Sequence, residues 1–324
     1  MSLVSDAIRQ LWLPRIQTVI GRPLKGFGAF VLDEGYQIHT APTDNSVELI
    51  YPEEMLILKA FAFDITRFAT AAIESMADEP SHAALPKSTA WLLIRSYYAA
   101  FFAAHAITRM LGISYTRFEQ KHCNAIWKIA NLFAQSAGNP PPPKLSGGLY
   151  RCEIFPIKKA VACRLLGDNG GGSHEVFWAS FQSLMKNVSD TLLISKIGVP
   201  ENNLAAAEAI DVLCVVMNIR GKQGAWLSVM RNEINYQHAL GCWYPYSNQS
   251  EKSAYTVGRA KQWLDDVSNI GLAVGGADIQ RFQGAALFLV SLCREMAIDM
   301  ASRAPAGGSS FHSVGVLAML KLLK

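Results

Sequence analysis

The chain has 324 residues, half of them apolar and 17 % charged, enough for one large domain or two ordinary ones with a sizeable core, which excludes a disordered protein. A formal charge of +4 permits a nucleic-acid partner without demanding one. The longest apolar runs, Ser96 to Thr108 and Gly284 to Cys293, are too short to cross a bilayer, and the N-terminus has no basic region followed by an apolar run. The reading is therefore of a soluble, cytoplasmic protein with no membrane partner and no secretory signal.

Taken in chain order, residues 1–51 read as irregular, with one β-hairpin signal, the D-E-G turn between two short apolar runs in Phe27 to His39. From Pro52 the spacing turns helical, opening on Pro52, Glu53 and Glu54 and running to Met76. A loop with Pro80 and Pro86 follows. Lys87 to Gly112 is apolar nearly all round, which predicts the central helix of a bundle with Gly112 just past its end. Thr116 to Gln135 reads as a third helix, closing a first bundle segment at residues 52–137.

Residues 138–221 are punctuated by prolines 140–143 and the run GDNGGG from Gly167, and read as a loop-rich insertion with one strand-like stretch, Leu149 to Ile157. Helices resume from His174 and from Asn202. Residues 222–243 hold a helix from Gly224 to Leu240 that stops at Gly241, and residues 244–324 give further C-terminal helices. The six cysteines, at 123, 152, 163, 214, 242 and 293, form no CxxC pair, which indicates neither a zinc site nor a redox dithiol and fits a reducing compartment.

The helix after Gly224 draws the chemical interest. Leu227, Met230 and Ile234 form an apolar stripe, and Arg231 and His238, seven residues apart, fall within about 20° of each other on a neighbouring one. Asn235 lies between them and Tyr236 further round. A guanidinium is a permanent cation with a planar fork of donors suited to phosphate, and an imidazole can move a proton near neutrality. Together they supply what RNA cleavage needs. Seven residues span about 10 Å of helix, long for two groups on one phosphate, so a two-fold pairing of copies is expected if the site is catalytic. Arg117 and His122 repeat the same residue types with four residues between them. A polar helix edge with no function would also give such patterns.

Tyr97, Tyr98, Phe101 and the alanines around them, followed by Gly112 and His122, resemble the central helix and the next helix of the HEPN superfamily, a group of all-α domains. A later helix in that superfamily carries Arg, four to six residues, then His, often with a polar residue after the Arg. Arg231, Asn232 and His238 are similar to it, and Asn235 with Tyr236 is similar to a variant branch. The resemblance covers residues 52–137 and 222–243. Residues 138–221 are long for a minimal member, and Ala239 and Leu240 replace the His-x-Tyr ending of one toxin branch. The resemblance implies an all-α HEPN-like bundle with added helices and a loop-rich insertion. It implies Arg231 and His238 as catalytic residues, Asn232, Asn235 and Tyr236 as supporting ones, and His122 and Tyr98 as cleft residues, with a structural hydrogen-bonding role the alternative for His122. It gives Arg117 no catalytic part, because its helix precedes the motif helix. The implied activity is a metal-independent, cofactor-free endoribonuclease acting on single-stranded or structured RNA through 2′-hydroxyl attack. Its site would be shared by a homodimer, in a toxin or antiviral role, with a protein antitoxin or regulator as partner. The alternatives are a non-catalytic HEPN-like module binding nucleotide, RNA or protein, and a helical scaffold.

Other features carry less. GDNGGGSH lacks the lysine of a phosphate-binding loop, SHEVFW lacks the second histidine of a zinc-protease helix, and His105 reads as a core histidine. The aromatics of Cys242 to Tyr246 read as packing under a loop.

Overall fold

The computed structural model describes residues 2–21, 24–77, 88–167, 172–243, 250–305, 311 and 315–322. The proline loop expected around residues 78–87, the glycine run at 168–171 and the aromatics Tyr244 and Tyr246 lie outside them. Helix α1 (Leu3–Ile8) starts at Ser2, whose hydroxyl accepts the Ser5 amide. Helix α2 (Phe27–Leu32) stands where the hairpin was expected. Phe27, Phe30 and Val31 bury one face at helical spacing, and that periodicity outweighs the D-E-G turn. Beyond the turn, Gln37 contributes one isolated bridge, to Ile50 at the end of strand β1 (Ser46–Ile50).

Helices α3 (Glu54–Ala77) and α4 (Ala90–Met110) pack along each other, and the alanines of α4 at 99, 100, 103 and 104 are buried. Gly112, with φ of 81°, follows the end of α4 as its spacing predicted. The helix expected from Thr116 is divided. Thr116 to Phe118 belong to strand β2 (Ile113–Phe118), and Glu119 caps helix α5 (Gln120–Ser136). A capping box makes that boundary: the Glu119 side chain accepts an amide of the first turn, and the Glu119 amide donates to His122 Nδ1 at 3.0 Å.

The stretch after residue 137 holds two strands, β3 (Gly148–Phe155) and β4 (Ala160–Leu165). With the two earlier strands they form an antiparallel sheet in the order β1-β4-β3-β2. Tyr150, Cys152 and Ile154 point inward at period two, which is why β3 forms. The fold is thus mostly helical, with a small four-stranded sheet that the all-α expectation lacked; the strand-like stretch expected from Leu149 is its strand β3.

Helices α6 (Ser173–Ile194) and α7 (Pro200–Met217) pack together, and helix α8 (Trp226–Asn235) lies against α4 and α6. Gly224, with φ of 87°, permits that approach. A Cβ there would stand 2.8 Å from the Trp178 carbonyl oxygen and 2.7 Å from the Gln182 Cβ. Helix α8 stops at Asn235, short of the expected Leu240. Trp243 Nε1 donates to the Ile234 carbonyl at 2.6 Å, occupying the acceptor that the His238 amide would use in a continuing helix. His238 and Leu240 instead take φ values of 50° and 66°.

Helices α9 (Ser250–Arg259), α10 (Asp278–Ser302) and α11 (Val316–Leu322) complete the chain. Helix α4 is central, packed between α3 and α10, and one hydrophobic core takes side chains from Val4 to Val316. No helix among the described residues is long and apolar enough to cross a membrane.

Candidate functional site

Helix α8 buries Leu227, Met230 and Ile234 along its stripe, and Arg231 beside them is only 9 % exposed. Its guanidinium carbon stands 5.3 Å from the ring centre of Tyr97, 6.0 Å from Tyr98 and 5.8 Å from Tyr236. One terminal nitrogen donates to the Tyr236 hydroxyl at 3.3 Å, while Nε reaches no acceptor. No carboxylate among the described residues pairs with it, whereas buried Arg109 has Asp64 at 3.4 Å. Three aromatic faces hold Arg231 through cation–π contact, and its Nε is left without an acceptor.

The imidazole that joins this group is His174, near the start of α6. Its Nδ1 lies 2.8 Å from the Tyr97 hydroxyl, and Trp178 Nε1 donates to the same oxygen at 3.1 Å. The His174 ring stacks on Phe101 with centroids 4.3 Å apart. Tyr97 and Phe101 lie one turn apart on α4, and His174 and Trp178 one turn apart on α6, so each helix presents two rings on one face. Burial, and then the positive charge of Arg231, hold the His174 pKa below its ordinary value. Burial pushes the Tyr97 phenol up, so it remains a neutral hydroxyl. Sequence reasoning weighed His174 only as a zinc-protease residue. Its pairing one turn before Trp178, on an amphipathic helix, was the signal available.

His238 is three residues beyond α8 and exposed, its ring stacked on Trp243 at 5.2 Å. Trp243 in turn meets the edge of Trp91 at 5.5 Å. No hydrogen bond or ring contact joins His238 to Arg231. The expected common stripe fails because the helix has ended before residue 238. Asn232 and Asn235 are half-buried on α8, and Tyr236 is exposed, with its hydroxyl on Arg231.

The two expected cleft residues separate. Tyr98 belongs to the Arg231 group, and His122 lines a second cleft, of about 360 Å³, together with Asp64, Arg67, Arg109 and Arg117. The Asp64 carboxylate accepts from Arg67 at 3.0 Å, Arg109 Nε at 3.4 Å and the Phe27 amide at 3.2 Å. Gly26 makes room for it, since a Cβ there would collide with the Asp64 carboxylate. Arg109 also donates to the His105 carbonyl at 2.9 Å and the Tyr115 carbonyl at 3.3 Å, and stands 3.1 Å from His105 Nδ1. Burial, and then Arg109, push the His105 pKa well down, and its ring stacks on Phe177 at 4.0 Å, so His105 is the core histidine expected. His122 takes the Glu119 amide on Nδ1, so its neutral ring carries the proton on Nε2. Burial, and then Lys121, lower the His122 pKa and favour that neutral form.

Among the described residues no three His, Cys, Asp or Glu side chains gather as metal ligands. No family model, no curated protein and no solved structure matches this chain.

Proposed function

We propose that the chain is a metal-independent endoribonuclease of HEPN type in which Arg231 holds the scissile phosphate and His174 takes up the proton. The supporting observation is that no carboxylate among the described residues pairs with the Arg231 guanidinium, whose Nε has no acceptor. A nearly buried cation without a counter-ion is costly, and an anion seated against it removes that cost. A phosphodiester has the charge and the oxygen geometry for the fork.

In the tautomer the step requires, His174 Nδ1–H donates to the Tyr97 oxygen, which leaves the unprotonated Nε2 as the atom that accepts a proton. A ring kept neutral at neutral pH is set to accept one. In the step proposed, His174 Nε2 takes the proton of the ribose 2′-hydroxyl and the 2′-oxygen bonds to phosphorus. The bond to the 5′-oxygen breaks, and that oxygen takes a proton from solvent. Arg231 offsets the added charge on the phosphorane. His174 thereby replaces His238 in the catalytic role. Because both groups meet at Tyr97 within one chain, distance no longer demands a second copy. A homodimer and a protein antitoxin or regulator remain what the resemblance implies.

The test is cleavage of fluorescent RNA in EDTA by the wild-type chain, Arg231→Gln, His174→Gln and His238→Gln. Loss of about a hundredfold or more is expected in the first two variants, and little change in the third. Equal rates in all four would remove the site. RNA retention by an inactive wild type would leave the binding module as the reading.

A further inference from the structure

We propose that the cleft between α3, α4, β2 and the start of α5 binds a small phosphate-bearing ligand, at a site separate from the Arg231 group and independent of the nuclease reading. Charge is the first argument. Three guanidiniums, Arg67, Arg109 and Arg117, face one carboxylate, Asp64. That carboxylate is already shared between Arg67 and Arg109, and Arg117, whose charge is felt by Glu119, makes no salt bridge among the described residues. A phosphate monoester carries about −1.5 to −2 charges at neutral pH, which matches the imbalance.

Donor geometry is the second. Arg117 is exposed at the mouth with its fork uncommitted, and Arg67 keeps half of its side chain in solvent. His122 presents an Nε2 proton, because the Glu119 amide fixes its other nitrogen as an acceptor. Arg109 is locked in place at the cleft floor by two backbone carbonyls. A phosphate can thus be met by mobile cations from the mouth and by one fixed donor, His122 Nε2, from the wall, with the charge of Arg109 behind it. Size is the third argument. About 360 Å³ suits a small molecule and not a polymer. Glycines 26 and 28 put no side chain into that space.

The experiment is calorimetric titration of the full chain with inorganic phosphate and with phenyl phosphate at constant ionic strength. Binding is expected to persist in an Arg231→Gln background, which removes the other phosphate contact, and to be weakened there at least tenfold by Arg117→Gln and by His122→Gln. Arg117 and Arg67 are exposed, so Arg117→Gln and Arg67→Gln keep the fold, which a thermal melt verifies. Tighter binding of the ester assigns an organic phosphate, and equal binding assigns the free ion. The proposal falls if neither compound binds up to about 10 mM. It also falls if, in that background, folded Arg117→Gln and Arg67→Gln leave binding unchanged, or if Arg231→Gln abolishes binding.

Discussion

At the scale of single residues, the Arg231 group joins a cation to an imbalance that its neighbours do not correct. Its apolar neighbours on α8 were legible from spacing, and so was its place at the edge of that stripe. His174 was not, because the hydroxyl that positions it is 77 residues away on another helix, and periodicity reports only along one helix. The charge of Arg231 gives a direct test. It lowers the His174 pKa together with burial, and Tyr97, Tyr98 and His105 are the other polar or titratable side chains near the ring. An NMR titration of the His174 ring is expected to fall below the ordinary value of about 6.5. In Arg231→Gln it is expected to move up, since a repelling charge has gone. No movement would show that Arg231 does not act on the ring. The sign for stability follows. The folded state holds this ring neutral, so the unfolded chain takes up the proton first. Stability from this group is therefore full above about pH 6.5 and falls as pH drops through that value toward the folded pKa.

At the scale of elements, the length of α8 decides which histidine can serve. The motif spacing suggested a helix through residue 240, and nothing between 224 and 240 forbids one locally. What ends it is an indole from beyond the helix, Trp243, on the Ile234 carbonyl. Such side-chain competition for a backbone acceptor leaves no mark on hydrophobic periodicity. Trp243→Phe retains a ring for His238 and Trp91 but removes the donor. A loss of about 1 kcal/mol is expected in denaturant titration, with greater protection of the His238 amide in hydrogen exchange as that amide recovers the carbonyl. Unchanged stability and unchanged exchange would mean that Trp243 does not set the helix end. The capping box at Glu119 is the contrasting case. Glu119 and His122 are three residues apart, so that boundary could have been read from the sequence, but the apolar run around it suggested one continuous helix.

At the scale of the whole molecule, the helical core was legible, and of the sheet only β3 was, as the strand-like stretch from Leu149. Helix α4 is apolar nearly all round because every side of it meets another element. The four strands come from three distant stretches, with Ser46 opposite Arg164 and Ile113 opposite Glu153. Each strand is short, and only pairing with remote partners satisfies its backbone. The central helix also joins the two candidate sites. Tyr97, Phe101, His105 and Arg109 recur every fourth residue along it, with Tyr97 in the Arg231 group and Arg109 in the anion cleft. Phe101 meets His105 at 4.6 Å, and His105 meets Arg109 at 3.1 Å. Energies along this column are therefore not separable. A double-mutant cycle of Phe101→Leu with Arg109→Lys, two residues that share His105 as neighbour, is expected to show a coupling above about 0.5 kcal/mol, whereas sites without a shared partner add. A sum equal to its parts would show that the column does not act as a unit. A substitution at one end has to be judged against a background measured at the other.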